Sequence, residues 1–564
     1  MSSQHSRFVG SARILAICTL CSRVTGLVRD MVMNRVFGQG WVQDAFNYGF
    51  IIPNLFRRLF GEGALSAVFV PVFTRVLDQE GRPAAWVLLG RITGLMALAL
   101  SVVVLVLEGV AFAIATFSTD VSHLHLGLTA VMAPFMMGVC VVALFSSILN
   151  CVHHFTVPAL LPIVLNGMIV VGAVVVGPML GDKLEEQVYG VGYCVLAASV
   201  IQLAMILPVL RRHGVRFRLS LDRSHPDVRK ILSMFIPVVL GQGVLLFNAF
   251  FDTQICTSLT RAPNGAATFS FMGREVAYPL ESGALSAMNN AARLYQFPLG
   301  VLAISLATAA FPMFSLFASR KDFEGLRRSV AHALRLAIFV GAPSGLMLII
   351  LGRPIVSLLF EGGRFDAADT QRAADILVWY GAGMTAYCCQ HILLRGFYSL
   401  GDVITPMKVS CVLVVVNLIT TMSLIWFVQE RIFGISTALV SFLHVCATVY
   451  LLRARLGGRM GARKIAASAA RTVIATAAAG VSAWWVCGWL SGMSFDGLAA
   501  SVHGAVTPIF HSVTLASIAR TTHQAIVVFG SLGLAIAAFF VVGLALRMEE
   551  FGWLFKREAK PASA

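Results

Sequence analysis

Fourteen times along this chain an apolar run recurs that is long enough, at roughly 20 residues, to carry a helix across about 30 Å of hydrocarbon. The first seven lie near 9–33, 42–73, 85–115, 126–150, 157–178, 188–210 and 232–258, and the second seven near 283–312, 330–351, 372–396, 406–426, 431–452, 467–490 and 523–547. Hydrocarbon offers no partner to a backbone N–H or C=O, so each run is expected as a helix that satisfies its own hydrogen bonds. The fold class that follows is an all-α polytopic membrane protein of about 14 transmembrane helices. Composition agrees, because 58% hydrophobic and 12% charged residues with a mean hydropathy of +0.82 lie far from a soluble globular chain.

A net charge of +16 invites a nucleic-acid reading, but the basic residues sit in short clusters between apolar runs. The positive-inside rule accounts for such clusters, and no folded domain remains to hold nucleic acid. Arg211, Arg212, Arg216, Arg218, Arg223, Arg229 and Lys230 follow the sixth run, Arg320, Lys321, Arg327 and Arg328 the eighth, and Arg453, Arg455, Arg459, Arg463 and Lys464 the twelfth. These loops are expected on the cytoplasmic side of a bacterial inner membrane, and an even helix count puts both termini there. The 11 cysteines fall mostly in apolar segments and read as small buried hydrophobes, with Cys18-x-x-Cys21 a packing feature. The first run carries Arg23 and Arg29 without a small-residue cleavage site, so it is expected to stay as a helix.

Internal repetition is weak. LNCVHHFTVPALLPIVLN (149–166) matches in layout RGFYSLGDVITPMKVSCVLVVVN (395–417), each joining an aromatic and a Pro to an Asn-ended apolar run six helices apart. Two related six-helix lobes would give that offset, with the pathway at their interface. The expected organisation is an N-lobe over 1–210, a basic cytoplasmic linker over 211–231, a C-lobe over 232–453, two further helices over 454–547 and a cytoplasmic tail over 548–564. The connector 491–522 reads as an interfacial helix or a loop.

Between Cys21 and Pro71 the chain is apolar enough for a bilayer yet carries Arg23, Arg29, Asp30, Arg35, Asp44, Arg57, Arg58 and Glu62. A charge at the bilayer centre costs about 2.5–3.5 kcal/mol on insertion scales, so such a set is retained where charges face one another or a water-filled cavity. Pro53 and the Gly61/Gly63 pair are expected to interrupt the second helix, which places broken backbone beside that cavity. Arg23 and Asp30, seven apart, share a helix face, and structural pairing of Arg23 with Asp30 or of Arg57/Arg58 with Glu62 is the competing, bland reading. Taken as the charges of the cavity, Arg23, Arg29, Arg57, Arg58 and Arg293, the last on the eighth helix, stand against Asp30, Asp44 and Glu62, an excess of two positive charges. A pyrophosphate diester carries about two negative charges, and guanidinium forks bind phosphate oxygens bidentately. The sequence therefore points to a central cationic cavity for a diphosphate.

A fainter set is Asn248 and Asp252 on the seventh helix with Asn417 and Thr421 on the eleventh, each pair four apart. Oxygen ligands around one carboxylate suit Na⁺ or a proton relay, while interhelical hydrogen bonding is the commoner use of such residues. His153-His154 has no further ligand at metal spacing, so no metal site is expected. GEGALS lacks the ending a phosphate loop needs, and FEGGRFDAADTQRA (360–373) reads as a gate element or a surface turn.

SRVTGLVRD (22–30), DAF (44–46), IPNLFRRLFGEGALSAVFVPVF (52–73), ARLYQFPLGV (292–301), GGRFDAADTQRA (362–373) and GFYSLGDVITPMK (396–408) closely resemble the MurJ/MviN family of bacterial lipid II flippases, in the multidrug/oligosaccharidyl-lipid/polysaccharide exporter superfamily. The resemblance runs from about Ser11 to Ala545 and implies fourteen helices in two pseudo-symmetric lobes. It implies diphosphate-binding roles for Arg23, Arg29, Arg57 and Arg293, with Asp44 at the acidic position of the DAF motif. It also implies that lipid II, an undecaprenyl-pyrophosphate disaccharide-pentapeptide, crosses to the outer leaflet by alternating access. The chain departs from the family at Ile51, where a cation often precedes the IPN motif, at Ala292, where an Asp is typical, and at Thr421, where some relatives carry an acid. The segment 260–282 looks longer than the family's usual connector and is expected to cap the outward opening.

The expected partners are lipid II, membrane lipids and proteins of cell-wall synthesis. No cofactor is expected, and Na⁺, H⁺ or the membrane potential would supply the energy. A flippase for another polyprenyl-diphosphate glycan of O-antigen type would use the same arginines. A cationic-drug exporter fits a positive cavity poorly, and a membrane glycosyltransferase should show clustered acids near a nucleophile, which the chain lacks. A non-transporting scaffold for cell-wall synthesis would tolerate loss of all the cavity arginines.

Overall fold

The computed structural model describes residues 2–117, 123–152, 154–216, 218–263, 265–458, 461–493, 495, 497–498, 500–501 and 515–555, with side chains described except at 2–17, 61–67, 236–246, 271, 515–517 and 553–555. Within them run fourteen long helical stretches. These are α1 (Ser2–Phe37), α2 (41–79), α3 (Arg82–Phe117), α4 (His123–Cys151), α5 (Thr156–Leu180), α6 (Leu184–Arg212) and α7 (Pro226–Ser258). The series continues as α8 (Ala284–Ser319), α9 (Phe323–Phe360), α10 (Ala367–Ser399), α11 (Ile404–Val428), α12 (Ile432–Arg455), α13 (Ala462–Ser491) and α14 (Leu515–Ala545), followed by the short α15 (Glu549–Phe555). Among the described residues 9 stretches are long and apolar enough to cross a membrane, one of which, Ile404–Arg455, contains both α11 and α12.

The second helix departs from expectation in an instructive way. Pro53 lies inside the regular segment Trp41–Arg57 and does not interrupt it. The irregularity begins at the second of the two arginines, as a π-helical turn over Arg58–Gly63, and the chain then returns to α-helix over Ala64–Gln79. A π turn inserts one residue and rotates everything beyond it, and it absorbs the glycines without ending the helix. Similar turns lie in α5 over Gly172–Val176 and in α8 over Leu299–Ile304. A second departure is at 260–282, where a β-hairpin forms from β1 (Thr268–Phe271) and β2 (Arg274–Ala277), Thr268 facing Ala277 and Phe271 facing Arg274. Met272 and Gly273 close it with φ of 49° and 76°, the two left-handed residues of a tight hairpin turn. α14 begins at Leu515, eight residues earlier than the apolar run starting at 523; of the connector 491–522, residues 502–514 lie outside the described residues.

The chain packs as two compact units, Met1–Ser286 with Gly363–Phe365, and Ala287–Gly362 with Asp366–Ala564. In the first, α2 packs on α4, α4 on α3 and α6, and α1 on α5, around a core that includes Phe69, Phe73 and Phe135. In the second, α9 packs on α10 and α13, α10 on α12, and α13 on α14; Phe314 and Phe397 fill one core cluster and Phe339 and Phe539 another. The tripeptide Gly363–Phe365, from the sequence motif read as a gate or a turn, belongs to the first unit. There the Arg364 N–H donates to the Arg35 carbonyl at 2.9 Å, beyond which Gly38 ends α1 with a φ of +69°. A Cβ on Gly38 would meet the Arg364 backbone, so this end of α1 requires glycine twice over, for its conformation and for the close approach.

Candidate functional site

In the first unit Asp30 is held by a different arginine from the one expected. Arg29 donates from Nε and Nη2 to Asp30 Oδ1 at 3.0 and 2.6 Å, and from Nη1 to Asn166 Oδ1 on α5 at 3.0 Å. The seven-residue pairing of Arg23 with Asp30 does not form: Arg23 is exposed and the adjacent Arg29 takes the carboxylate. Sequence spacing identifies a shared face, but side-chain reach and a partner on another helix decide the pair. Asn166 is 7% exposed, and its amide nitrogen reaches back to the Ser22 carbonyl and Thr25 Oγ at 3.4 Å each. Asn34 closes the group by donating to the Asp30 carbonyl at 2.9 Å.

On α2, Arg57 donates through Nε and Nη2 to Asn54 Oδ1 at 3.2 and 3.0 Å, one helical turn back. Arg58 opens the π turn and is half-buried, and the side chain of Glu62 lies outside the described residues. A guanidinium has five N–H donors. Among the described residues Arg29 engages three of them in these bonds, so a held guanidinium keeps donors for an incoming anion.

Asp44, counted among the cavity charges in the sequence, is 2% exposed. Its Oδ2 accepts the Gly283 N–H at 2.7 Å, and its Oδ1 accepts the Ser286 N–H and Oγ–H at 2.7 and 2.6 Å. These donors start α8, where backbone N–H groups have no partner within the helix. Asn47, three residues on, donates to Ser286 Oγ at 3.2 Å.

Arg293 is exposed on α8 in the second unit, ahead of the π turn at Leu299–Ile304. In the fainter set, Asn248 Nδ2 donates to Asp252 Oδ2 at 3.3 Å within α7, in the first unit, and Asp252 is 6% exposed. Asn417 and Thr421 are fully buried on α11, in the second unit. His153 lies outside the described residues.

Reasoning from sequence missed Asn166, Asn54 and Ser286. A signal existed for the first two, because Asn166 ends the apolar run of the internal repeat and Asn54 stands in the IPN motif. Nothing marked Ser286, whose role depends on a carboxylate more than 200 positions away.

Comparison with known proteins agrees with this arrangement of helices. The family model described as "Lipid II flippase MurJ" matches residues 33–499, which contain Asp44, Arg57, Arg58 and Arg293 and begin just after Arg23, Arg29 and Asp30. The chain is 31% identical over 412 residues to the lipid II flippase MurJ of Burkholderia cenocepacia, covering 71% of this chain and 75% of that protein. It is 28% identical over 456 residues to the probable lipid II flippase MurJ of Vibrio cholerae, covering 78% and 82%. Among solved structures, a lipid II flippase MurJ in an inward closed conformation superposes with a TM-score of 0.67 at 19% identity, covering 94% of this chain and 98% of that one. An inward-facing multidrug resistance MATE family transporter, itself of the MOP superfamily, has a TM-score of 0.59 at 12% identity, covering 77% and 94%, a likeness of fold. A match over most of its length, to the family model and to curated relatives alike, establishes that this chain belongs to the lipid II flippase MurJ family.

Proposed function

We propose that this protein moves lipid II, the undecaprenyl-pyrophosphate-linked precursor of peptidoglycan, from the cytoplasmic to the outer leaflet of the bacterial cytoplasmic membrane by alternating access. The observation that carries the reading is Arg29, a guanidinium in a membrane helix of a flippase family, oriented by Asp30 and Asn166 with N–H donors to spare. Arg57, braced by Asn54, supplies a second fork on α2. Arg23 and Arg293 join the diphosphate-binding set by their match to the family motifs. The polyprenyl tail stays in the lipid, so the protein lowers the transfer cost of the charged headgroup alone. Release on the outer side requires weaker binding in the outward state, because a ligand shifts an equilibrium only by its differential affinity. The π turn that begins at Arg58 gives α2 a place to change pitch and carry its arginines away from those of α1.

The test is lipid II exposure on the outer face of cells depleted of their own flippase and carrying this chain, wild type beside Arg57→Ala and Arg293→Ala. Rescue by the wild type and failure of both variants, at equal membrane abundance, is the expected result. Rescue by all three would remove the arginines from the mechanism, and failure of the wild type would redirect the substrate to another polyprenyl-diphosphate glycan.

A further inference from the structure

A second basic site lies in the first unit, where the connector between α6 and α7 crosses α3. Residues 218–220 run extended along the helix: the Ser220 N–H donates to the Gly90 carbonyl at 3.3 Å, and Cβ atoms on Gly90 and Gly94 would collide with the Arg218 and Ser220 carbonyls. The spacing explains the fit. Two residues of extended chain advance roughly 6.6 Å and four residues of helix roughly 6 Å, so glycines at i and i+4 make a notch for alternate residues of a strap. On one side of the strap, Arg216, Arg218 and Ser220 enclose a cavity of about 480 Å³ with Trp86, Val87 and Arg91. The intervening Leu219 and Leu221 are 65% and 55% exposed.

Arg91 is paired with Asp222 at 2.8 Å, while among the described residues no carboxylate lies within ion-pair distance of Arg216 or Arg218. Three guanidiniums against one carboxylate leave the cavity two charges positive, and its chemistry is that of a phosphate site. What lies next to it identifies the source of the phosphate. Val87, Leu98, Val102 and Leu105 fall on one face of α3, and all four are exposed, on a helix apolar enough to cross a membrane. A basic pocket with an exposed apolar helix face and two exposed leucines beside it has the layout of a headgroup site above an acyl-chain track, and the connector's seven basic residues mark it for the anionic cytoplasmic leaflet. We propose that Arg216, Arg218 and Arg91 bind the phosphate of an anionic phospholipid, whose chains lie along that face of α3. This site is separate from the arginines of α1 and α2 and does not depend on the substrate proposed above.

The test is binding of phosphatidylglycerol to the full-length protein, counted by native mass spectrometry after reconstitution in phosphatidylcholine discs doped with phosphatidylglycerol. Arg216→Gln/Arg218→Gln should weaken retention about 30-fold, and Arg216→Gln alone about fivefold, at unchanged thermal transition in undoped discs. Arg216→Lys/Arg218→Lys should retain most of it, since the leaflet attraction is one of charge. Equal retention by wild type and the Gln variants would overturn the site. Displacement of the lipid by millimolar inorganic phosphate would overturn the lipid assignment in favour of a free anion. The single variant, on an exposed strap residue, decides the matter should the double one not reconstitute.

Discussion

Asp44 and Ser286 meet through two hydrogen bonds on one oxygen, the serine offering its N–H at 2.7 Å and its hydroxyl at 2.6 Å to Oδ1. With the Gly283 N–H on Oδ2, the carboxylate serves the orphan donors at the start of α8 and meets the positive end of the helix dipole. Ser286 is fully buried, so no water replaces a lost acceptor. Asp44→Ala should cost about 1–3 kcal/mol for each donor left unsatisfied. Asp44→Asn, which keeps one acceptor oxygen, should fall between it and the wild type. Thermal unfolding in detergent checks the order, and an unchanged transition for Asp44→Ala would refute the capping role.

Asn166 is expected to matter to transport through Arg29. A hydrogen bond to a charged group contributes about 1.5–3 kcal/mol, so Asn166→Ala should reduce lipid II flipping roughly tenfold or more as the guanidinium loses one of its two anchors. Arg29→Lys keeps the charge but cannot reach Asp30 and Asn166 in the same fork geometry, and should also be impaired. Complementation of a flippase-depleted strain is the readout; full activity of Asn166→Ala would show that the bond is incidental.

The two glutamates that open α15 should behave differently although both contact Arg335. Glu550 is 2% exposed at its side chain and takes Arg335 Nε at 2.8 Å together with the Ser468 hydroxyl. Glu549, 61% exposed, meets Nη2 at 2.9 Å. Removing Glu550 leaves a guanidinium that is itself 13% exposed without its buried partner, a loss of about 3–5 kcal/mol, whereas Glu549→Ala should cost less than about 1 kcal/mol. Melting curves of the two alanine variants make the comparison, and equal effects would contradict it.

Acid should loosen the strap on α3. The Ser224 hydroxyl and N–H donate to Asp222 at 2.5 and 2.8 Å, and these bonds, aided by Arg91 and His225, hold its carboxyl below the usual 3.8. A folded-state value below the unfolded one contributes stability that is complete above the unfolded pKa and is lost as pH falls through the folded one. Hydrogen exchange over 218–224 should therefore be equally protected at pH 7 and pH 5, after correction for intrinsic rates, and lose protection below about 3.8. Asp222→Asn should abolish that acid step. Loss of protection already between pH 7 and 5 would assign the anchoring to another group.

Much of this protein was legible in one dimension. Fourteen apolar runs predicted fourteen long helices because the bilayer imposes a length and forbids unpaired backbone, constraints that act on each segment separately. Charges within those runs marked α1 and α2 as a candidate site for the same reason, since a buried charge costs too much to be accidental. Partners were another matter. Whether Arg29 or Arg23 takes Asp30, whether Asp44 lines a cavity or caps α8, and whether Asn166 on α5 reaches α1 depend on distances between segments far apart in the chain. The π turns escaped notice because a one-residue change of pitch hardly alters hydropathy, and the hairpin because four-residue strands leave no periodic signal long enough to read. The notch at Gly90 and Gly94 was equally silent until the strap lay in it. Sequence alone determined which segments form long helices and where charge is concentrated, because these are properties of composition along the chain. Tertiary structure alone decided which polar atoms meet, because hydrogen bonds are made over 3 Å between residues that sequence can separate by hundreds.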